Sequence, residues 1–364
     1  MSRALPATRS ALSYYRGSIG LTALVVAFSG WAWGLQAAFL AFVLAVLEVS
    51  LSLDNAVVNA KILENWDARW RRMFLTWGVL VAVFGMRLLF PVIVVCAATG
   101  LDPYTVARMA LYHPDEYARH MSSAHYQIAG FGGAFLMMVA LSFFFEERDQ
   151  RWLEWAERKL SRFGQIEGVT VAGTLGALFL ARHFVHATAQ NEFFVAGVLG
   201  VVCFVLAHGL GTLFGQSEEA DPVSIQPGGT FVRAGVAGFL FIELLDASFS
   251  FDGVIGAFVL TTYLPLIMLG LGAGALFVRS FTVHLVEAGT LSTFRYLEHG
   301  AFYAILTLAG VMLTPEMHLP EWVPGLSGAV ILGLALLHSH LTNRREARGS
   351  GPEALPASQD HAVA

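Results

Sequence analysis

What the chain has little of narrows its class first. Only 13% of its 364 residues are charged, about half the roughly 25% of an average soluble domain. Cysteine is scarce as well: Cys96 and Cys203 are the only two, and both lie in apolar runs. That leaves no disulfide framework and no thiolate metal cluster. Lys and Arg number 22 against 27 Asp and Glu, a net charge of −5, so nothing points to nucleic acid as a partner. No phosphate loop, dinucleotide-binding fingerprint or zinc-protease motif occurs, so the reading is not an enzyme, with no cofactor. Met1–Arg16 is short and polar, and the first apolar run is followed at once by another, so no cleavable signal peptide is expected.

What is abundant is apolar sequence: 56% of residues are hydrophobic and the mean hydropathy is +0.61. The fold class expected is an all-α polytopic membrane protein. A spanning helix needs about 20 mostly apolar residues, and nine or ten stretches qualify: 17–34, 35–62, 73–99, 124–145, 167–186, 191–215, 231–262, 264–290, 298–315 and 322–341. The first is short, its split from the second near Gly34 is weakly marked, and the fifth carries Arg182, His183 and His186 near its end.

Basic residues set sidedness. Arg3, Arg9 and Arg16, then Arg69, Arg71 and Arg72, then five Arg and Lys between 146 and 166, and finally Arg344, Arg345 and Arg348 all fall on one side, with both termini cytoplasmic. The outer loop 100–123 holds only Arg108 and Arg119, while 216–230, placed inside by helix counting alone, has no Lys or Arg. The organisation expected is a cytoplasmic N-terminus (1–16), a first membrane half (17–145) containing repeat A (35–145), and a cytoplasmic amphipathic linker (146–166). Intervening helices and a loop (167–230), a second half with repeat B (231–342) and a disordered cytoplasmic tail (343–364) complete it.

The repeat is visible residue by residue. Glu48-Val-Ser-Leu-Ser-Leu-Asp54-Asn55 returns as Asp246-Ala-Ser-Phe-Ser-Phe-Asp252-Gly253, each position 198 residues on. The helix after each copy carries one arginine, Arg87 and Arg279. The two copies lie on the second and seventh spans, five apart, and the odd separation makes two three-helix repeats in inverted orientation. Acids within hydrocarbon are expensive and mark function, and internal repeats mark transporters that bind at the repeat interface.

On an ideal helix Glu48, Ser52, Asn55 and Asn59 share one stripe and Asp54 lies about 120° away. Glu243, Asp246, Ser250 and Gly253 form the matching stripe, with Asp252 off it. The same positions also alternate polar and apolar with period two. Two readings stand: each motif is partly unwound, as in broken transporter helices, or each is intact and its serines bond back to carbonyls one turn earlier. Either way the donors are carboxylate, hydroxyl and amide oxygens, which suit Mn²⁺, Mg²⁺ or Ca²⁺. The candidate metal-site residues are Glu48, Ser52, Asp54, Asn55, Glu243, Asp246, Ser250 and Asp252. The competing reading pairs these acids with Arg87 and Arg279 as buried salt bridges. His284 and Glu287, three apart, suit a proton relay or a plain hydrogen bond. His208 also falls within a span, and Asn59 suits either an extended pathway or helix-end solvation. The Gly-rich run Leu269–Gly274 reads as close helix packing, and the polar segment 146–163, with its Trp/Leu stripe, as an interfacial helix.

Glu48–Asn55 (EVSLSLDN) and Glu243–Gly253 (ELLDASFSFDG) resemble the TerC family of integral membrane proteins, named for tellurium resistance and placed near the lysine-exporter superfamily. The likeness covers about 35–145 and 231–342. It implies a bacterial inner-membrane protein of metal-ion homeostasis, Mn²⁺ export first, linked to tellurite resistance. Gly253 departs from the usual serine, and the 146–230 insert marks a distinct branch. The function expected is therefore divalent-metal transport, Mn²⁺ efflux first, with proton exchange on the same acids as the driving step. Alternatives are export of another cationic substrate, or a membrane scaffold in tellurite and metal-stress resistance. Its partners would be the lipid bilayer, divalent metal ions and cytoplasmic metal-stress proteins.

Overall fold

The computed structural model describes residues 11–64, 66–78, 81, 85, 89–166, 168–214, 235–288, 293–317, 319 and 322–349, and every regular element among them is helical. The chain is an all-α multi-pass membrane protein. Arg87, the loop 216–230, parts of 73–99, the end of the tail, and the side chains of His208 and Asp252 lie outside this description.

Apolar runs become helices where turn residues allow, and the breaks have local causes. Helix α1 (Ala11–Trp33) ends at Gly34, whose φ of +90° is open to glycine at little cost, and α2 (Leu35–Leu51) starts at the next residue. Helix α3 (Leu53–Glu64) follows after one residue, Ser52. Together α2 and α3 pass as one span but bend by 52°. Next come α4 (Ala68–Met73), capped by Asp67, a π-helical segment at Phe74–Gly78, and α5 (Phe90–Thr99). The expected outer loop 100–123 is a pair of short helices, α6 (Pro103–Tyr112) and α7 (Pro114–Ser123). Their apolar faces pack Val106, Met109, Tyr117 and Met121 against Val95 and Ile128.

Helix α8 (His125–Phe145) is followed by the linker, which is helical only over α9 (Glu154–Phe163). Then come α10 (Val169–Ala181) with a 3₁₀ turn at Arg182–Phe184, α11 (Gln190–Phe214), α12 (Val236–Leu260), α13 (Leu264–Glu287), α14 (Leu297–Leu313) and α15 (Trp322–Gly349). Among the described residues four helices are by length and composition sufficient to cross a membrane, α8, α11, α13 and α15, and a fifth if α2 and α3 count as one. The other expected stretches fall short for specific reasons. Helix α12 is long enough at 25 residues but carries Glu243, Asp246 and Asp252. Helices α10 and α14 are apolar but short.

Helix α8 is the hub. It packs on α11, α14, α10 and α12, so the third helix of repeat A lies against the third helix of repeat B. Glycine permits the approach: a Cβ on Gly130 would sit 2.3 Å from the Phe193 carbonyl, and one on Gly132 2.6 Å from Met312. Phe143 of α8 stacks on Phe302 of α14 with ring centroids 3.8 Å apart. The linker is fastened to this pair of helices. Glu157 of α9 is buried, its Oε2 lies 3.0 Å from His299 Nδ1, and it accepts from Tyr303 Oη at 3.2 Å and the Leu153 amide at 3.1 Å. Nearby, Glu298 pairs with Lys61 at 3.1 Å and Arg148 at 2.9 Å, tying the end of α3 to α14 and the linker.

Candidate functional site

Helices α2 and α3 meet α12 and α13 around a cavity of about 540 Å³, its open mouth included. Its walls include Glu48, Ser52, Asn55 and Asn59 from one repeat and Asp246, Ser250 and Arg279 from the other. They include the whole first stripe of the ideal-helix reading and, from the second, Asp246 and Ser250. Glu48 is 2% exposed and Asp246 8%. Helix α13 comes this close because it offers glycine: a Cβ on Gly274 would lie 2.6 Å from the Ala45 carbonyl and from Glu48 Cβ. The close-packing reading of the 269–274 run holds.

The two unwinding readings each describe one copy. In the first copy the helix breaks at Ser52, where φ is −115° and ψ 11°. In the second copy α12 runs unbroken through Asp246–Gly253. The break is confined to one residue, so the period-two alternation over 48–54 does not report an extended strand. It reports two kinds of serine. The first serine of each copy bonds back along its own helix: Ser50 Oγ donates to Val46 O at 2.8 Å, and Ser248 Oγ to Leu244 O at 3.0 Å. The second, Ser52 or Ser250, lines the cavity, and Ser52 Oγ donates to Glu48 Oε1 at 2.8 Å.

Across the repeat interface Asp246 Oδ1 accepts from Asn55 Nδ2 and from Asn59 Nδ2, both at 2.7 Å. Asn59, equally suited in sequence to helix-end solvation, thus belongs to the site. Gly253, the position matching Asn55, faces Glu48: a Cβ there would lie 3.3 Å from Glu48 Oε2. Glycine at 253 therefore leaves room for the other repeat's carboxylate.

Not every candidate joins this cavity. Asp54 is buried but opens on a separate cavity of about 280 Å³, with Ser50, Phe249, Pro324, Gly325 and Gly328. The expectation that Glu48, Asp54, Asp246 and Asp252 form one four-acid site is corrected for Asp54. It sits off the stripe, and the bend at Ser52 does not bring it round. Among the described residues no three His, Cys, Asp or Glu side chains are placed to hold a metal ion together. Glu243, 3% exposed, lies behind the cavity wall against Gly78, and neither carboxylate oxygen has a hydrogen-bond partner among the described residues.

The salt-bridge reading does not hold for Arg279. It donates to the Leu75 carbonyl and, among the described residues, pairs with no carboxylate. His284, read with Glu287 as a relay or a plain hydrogen bond, has its Nδ1 2.9 Å from Tyr15 Oη, and Tyr14 stacks on its ring. Sequence reasoning missed the Phe74–Gly78 segment, which supplies Phe74, Leu75 and Gly78 to the cavity. π-Helical turns recur at functional sites, but this one has no sequence signal beyond Gly78 at a helix face.

Neither the curated proteins nor the solved structures gave a match to this chain. A family model described as "Protein of unknown function (DUF475)" matches residues 53–346. The match starts at the first residue of α3 and takes in Asp54, Asn55, Asn59 and the whole second motif. Covering well over half of the sequence, it makes the chain a member of the DUF475 family.

Proposed function

We propose that the chain is a membrane transporter of divalent metal ions, with Mn²⁺ efflux from a bacterial cytoplasm as its activity. One observation carries the reading: buried carboxylates from the two copies of a duplicated motif, Glu48 and Asp246, line a single cavity at the contact of the two repeats. Carboxylate, hydroxyl and amide oxygens gathered in one cavity suit a hard cation. The bend at Ser52 supports a moving part, since broken helices beside the site are a transporter feature. The resemblance of both motifs to the TerC family supports Mn²⁺ as the first ion to try.

The mechanism follows from these residues. A cation enters between Glu48 and Asp246, displacing protons or partner donors. The two repeats rock about the cavity, and protons from the far side return the carboxylates to their starting state. Asp54, in its separate cavity behind the bend, is a relay for those protons.

The test is cell manganese in a Mn-sensitive bacterial host at matched membrane levels. Wild type lowers cell manganese, and Glu48→Gln/Asp246→Asn does not. Equal lowering by both would remove the site from the mechanism. No lowering by either would remove Mn²⁺ efflux and turn the search to other cations.

A further inference from the structure

Two buried amides next to Asp246 have an unused half. Asn55 and Asn59 stand one turn apart on α3 and are 6% and 5% exposed. Both point their nitrogens at the same oxygen, Asp246 Oδ1, at 2.7 Å. An ionised carboxylate only accepts, which fixes which end of each amide faces it. The other end of each, Oδ1, is buried and has no hydrogen-bond partner among the described residues. Buried carbonyl oxygens are ordinarily satisfied, and an exception calls for an explanation. Here two occur side by side, on residues that line the cavity between Glu48 and Asp246.

We infer that Asn59, together with Asn55, is a cation ligand of this site that changes ends on loading. Before a cation arrives, the two NH₂ groups hold Asp246. When a divalent cation binds Asp246 and Glu48, each amide turns about its last side-chain bond and offers its oxygen to the ion. The coordination number calls for further oxygens here. Mn²⁺, Mg²⁺ and Ca²⁺ take six or more, beyond what the carboxylates of Glu48 and Asp246 supply. Amide and hydroxyl oxygens complete the shell without adding repulsion. The exchange also links loading to α3, because the bonds given up are those that seat this half-helix on α12 beyond its bend at Ser52.

The inference rests on the divalent-cation reading, and its test separates the two. Calorimetric titration with Mn²⁺ alone is run on the full chain purified in detergent, as wild type, Asn59→Leu and Asn59→Asp. Loss of a supporting metal-site group weakens affinity by roughly 10- to 100-fold. Asn59→Leu is expected to weaken Mn²⁺ binding by about tenfold or more, and Asn59→Asp, which keeps an oxygen, to restore it. Metal-free melting temperatures are recorded alongside. Should Asn59→Leu be too unstable to purify, Asn59→Asp against wild type still decides: weaker binding in Asn59→Asp overturns the ligand role. Unchanged or tighter Mn²⁺ binding in Asn59→Leu also overturns it, the latter showing that the amides merely compete for Asp246. If wild type itself binds no Mn²⁺ and exports none, the transport reading fails and takes this one with it. If wild type binds but Asn59 is indifferent, only this one fails.

Discussion

Glu157 sits in the linker, yet its contacts reach the transmembrane bundle. Burial pushes this carboxyl up, but the contact with His299 and the hydrogen bonds from the Leu153 amide and the Tyr303 hydroxyl outweigh it, and its pKa is held below the usual value. Folding therefore favours the deprotonated form. The stabilisation is complete above the unfolded carboxyl value, about 4.3, and is lost as pH falls through the lower folded value. Thermal melts of the detergent-solubilised protein across that window should show wild type losing stability on acidification. Glu157→Gln should melt lower at neutral pH and lose less on acidification; an acid limb as steep as wild type's would show that Glu157 does not fasten the linker. This contact was not legible in the sequence. Glu157 is one of several acids in a polar stretch, and His299 is a lone histidine at the start of a span. Glu48 and Asp246 were legible because a duplicated acid in hydrocarbon has few structural explanations.

At the level of elements, hydropathy located the helices well, because a run of apolar residues has few other stable states in a bilayer. It could not locate the break in the first motif. Ser52 ends α2, and its counterpart Ser250 continues α12, although the two copies share the same pattern of residue classes. The difference arises from neighbours. The Pro324–Gly328 stretch of α15 packs around Ser50, Leu51 and Asp54, and a Cβ on Gly325 would lie 2.8 Å from Leu51 Cδ2. Such crowding is tertiary and leaves no local signature. The facing of α13 on α2 was legible as glycine spacing, and it yields a test. Gly274→Ala places a methyl 2.6 Å from the Ala45 carbonyl and Glu48 Cβ, where backbone cannot yield cheaply. Overpacking of this kind costs about 1–3 kcal/mol. The variant should melt lower in detergent and, with Glu48 displaced, bind Mn²⁺ more weakly. Gly17→Ala, with nothing within 4 Å, is the control and should match wild type. Wild-type melting and binding in Gly274→Ala would mean that α13 does not set the position of Glu48.

For the whole molecule, the proposed transport turns on the sign of the cavity. Among the described residues its wall carries the carboxylates of Glu48 and Asp246 and the guanidinium of Arg279, which is turned to the Leu75 carbonyl. At an effective dielectric of about 20, two like unit charges about 4 Å apart repel by roughly 4 kcal/mol. A doubly charged oxyanion such as tellurite would meet that repulsion from both acids, and a single cation offsets only part of it. A divalent cation gains the same interactions with the sign reversed. Any tellurite phenotype in cells is thus expected to be indirect. Proteoliposomes of the full chain make the distinction. Mn²⁺ flux should saturate and fall in Glu48→Gln/Asp246→Asn, while tellurite flux stays at the level of protein-free vesicles. Saturable tellurite flux, lost in the same double variant, would overturn the assignment of the cavity as a cation site. The two acids would then have to be protonated throughout transport, and Arg279 would become the residue to pursue.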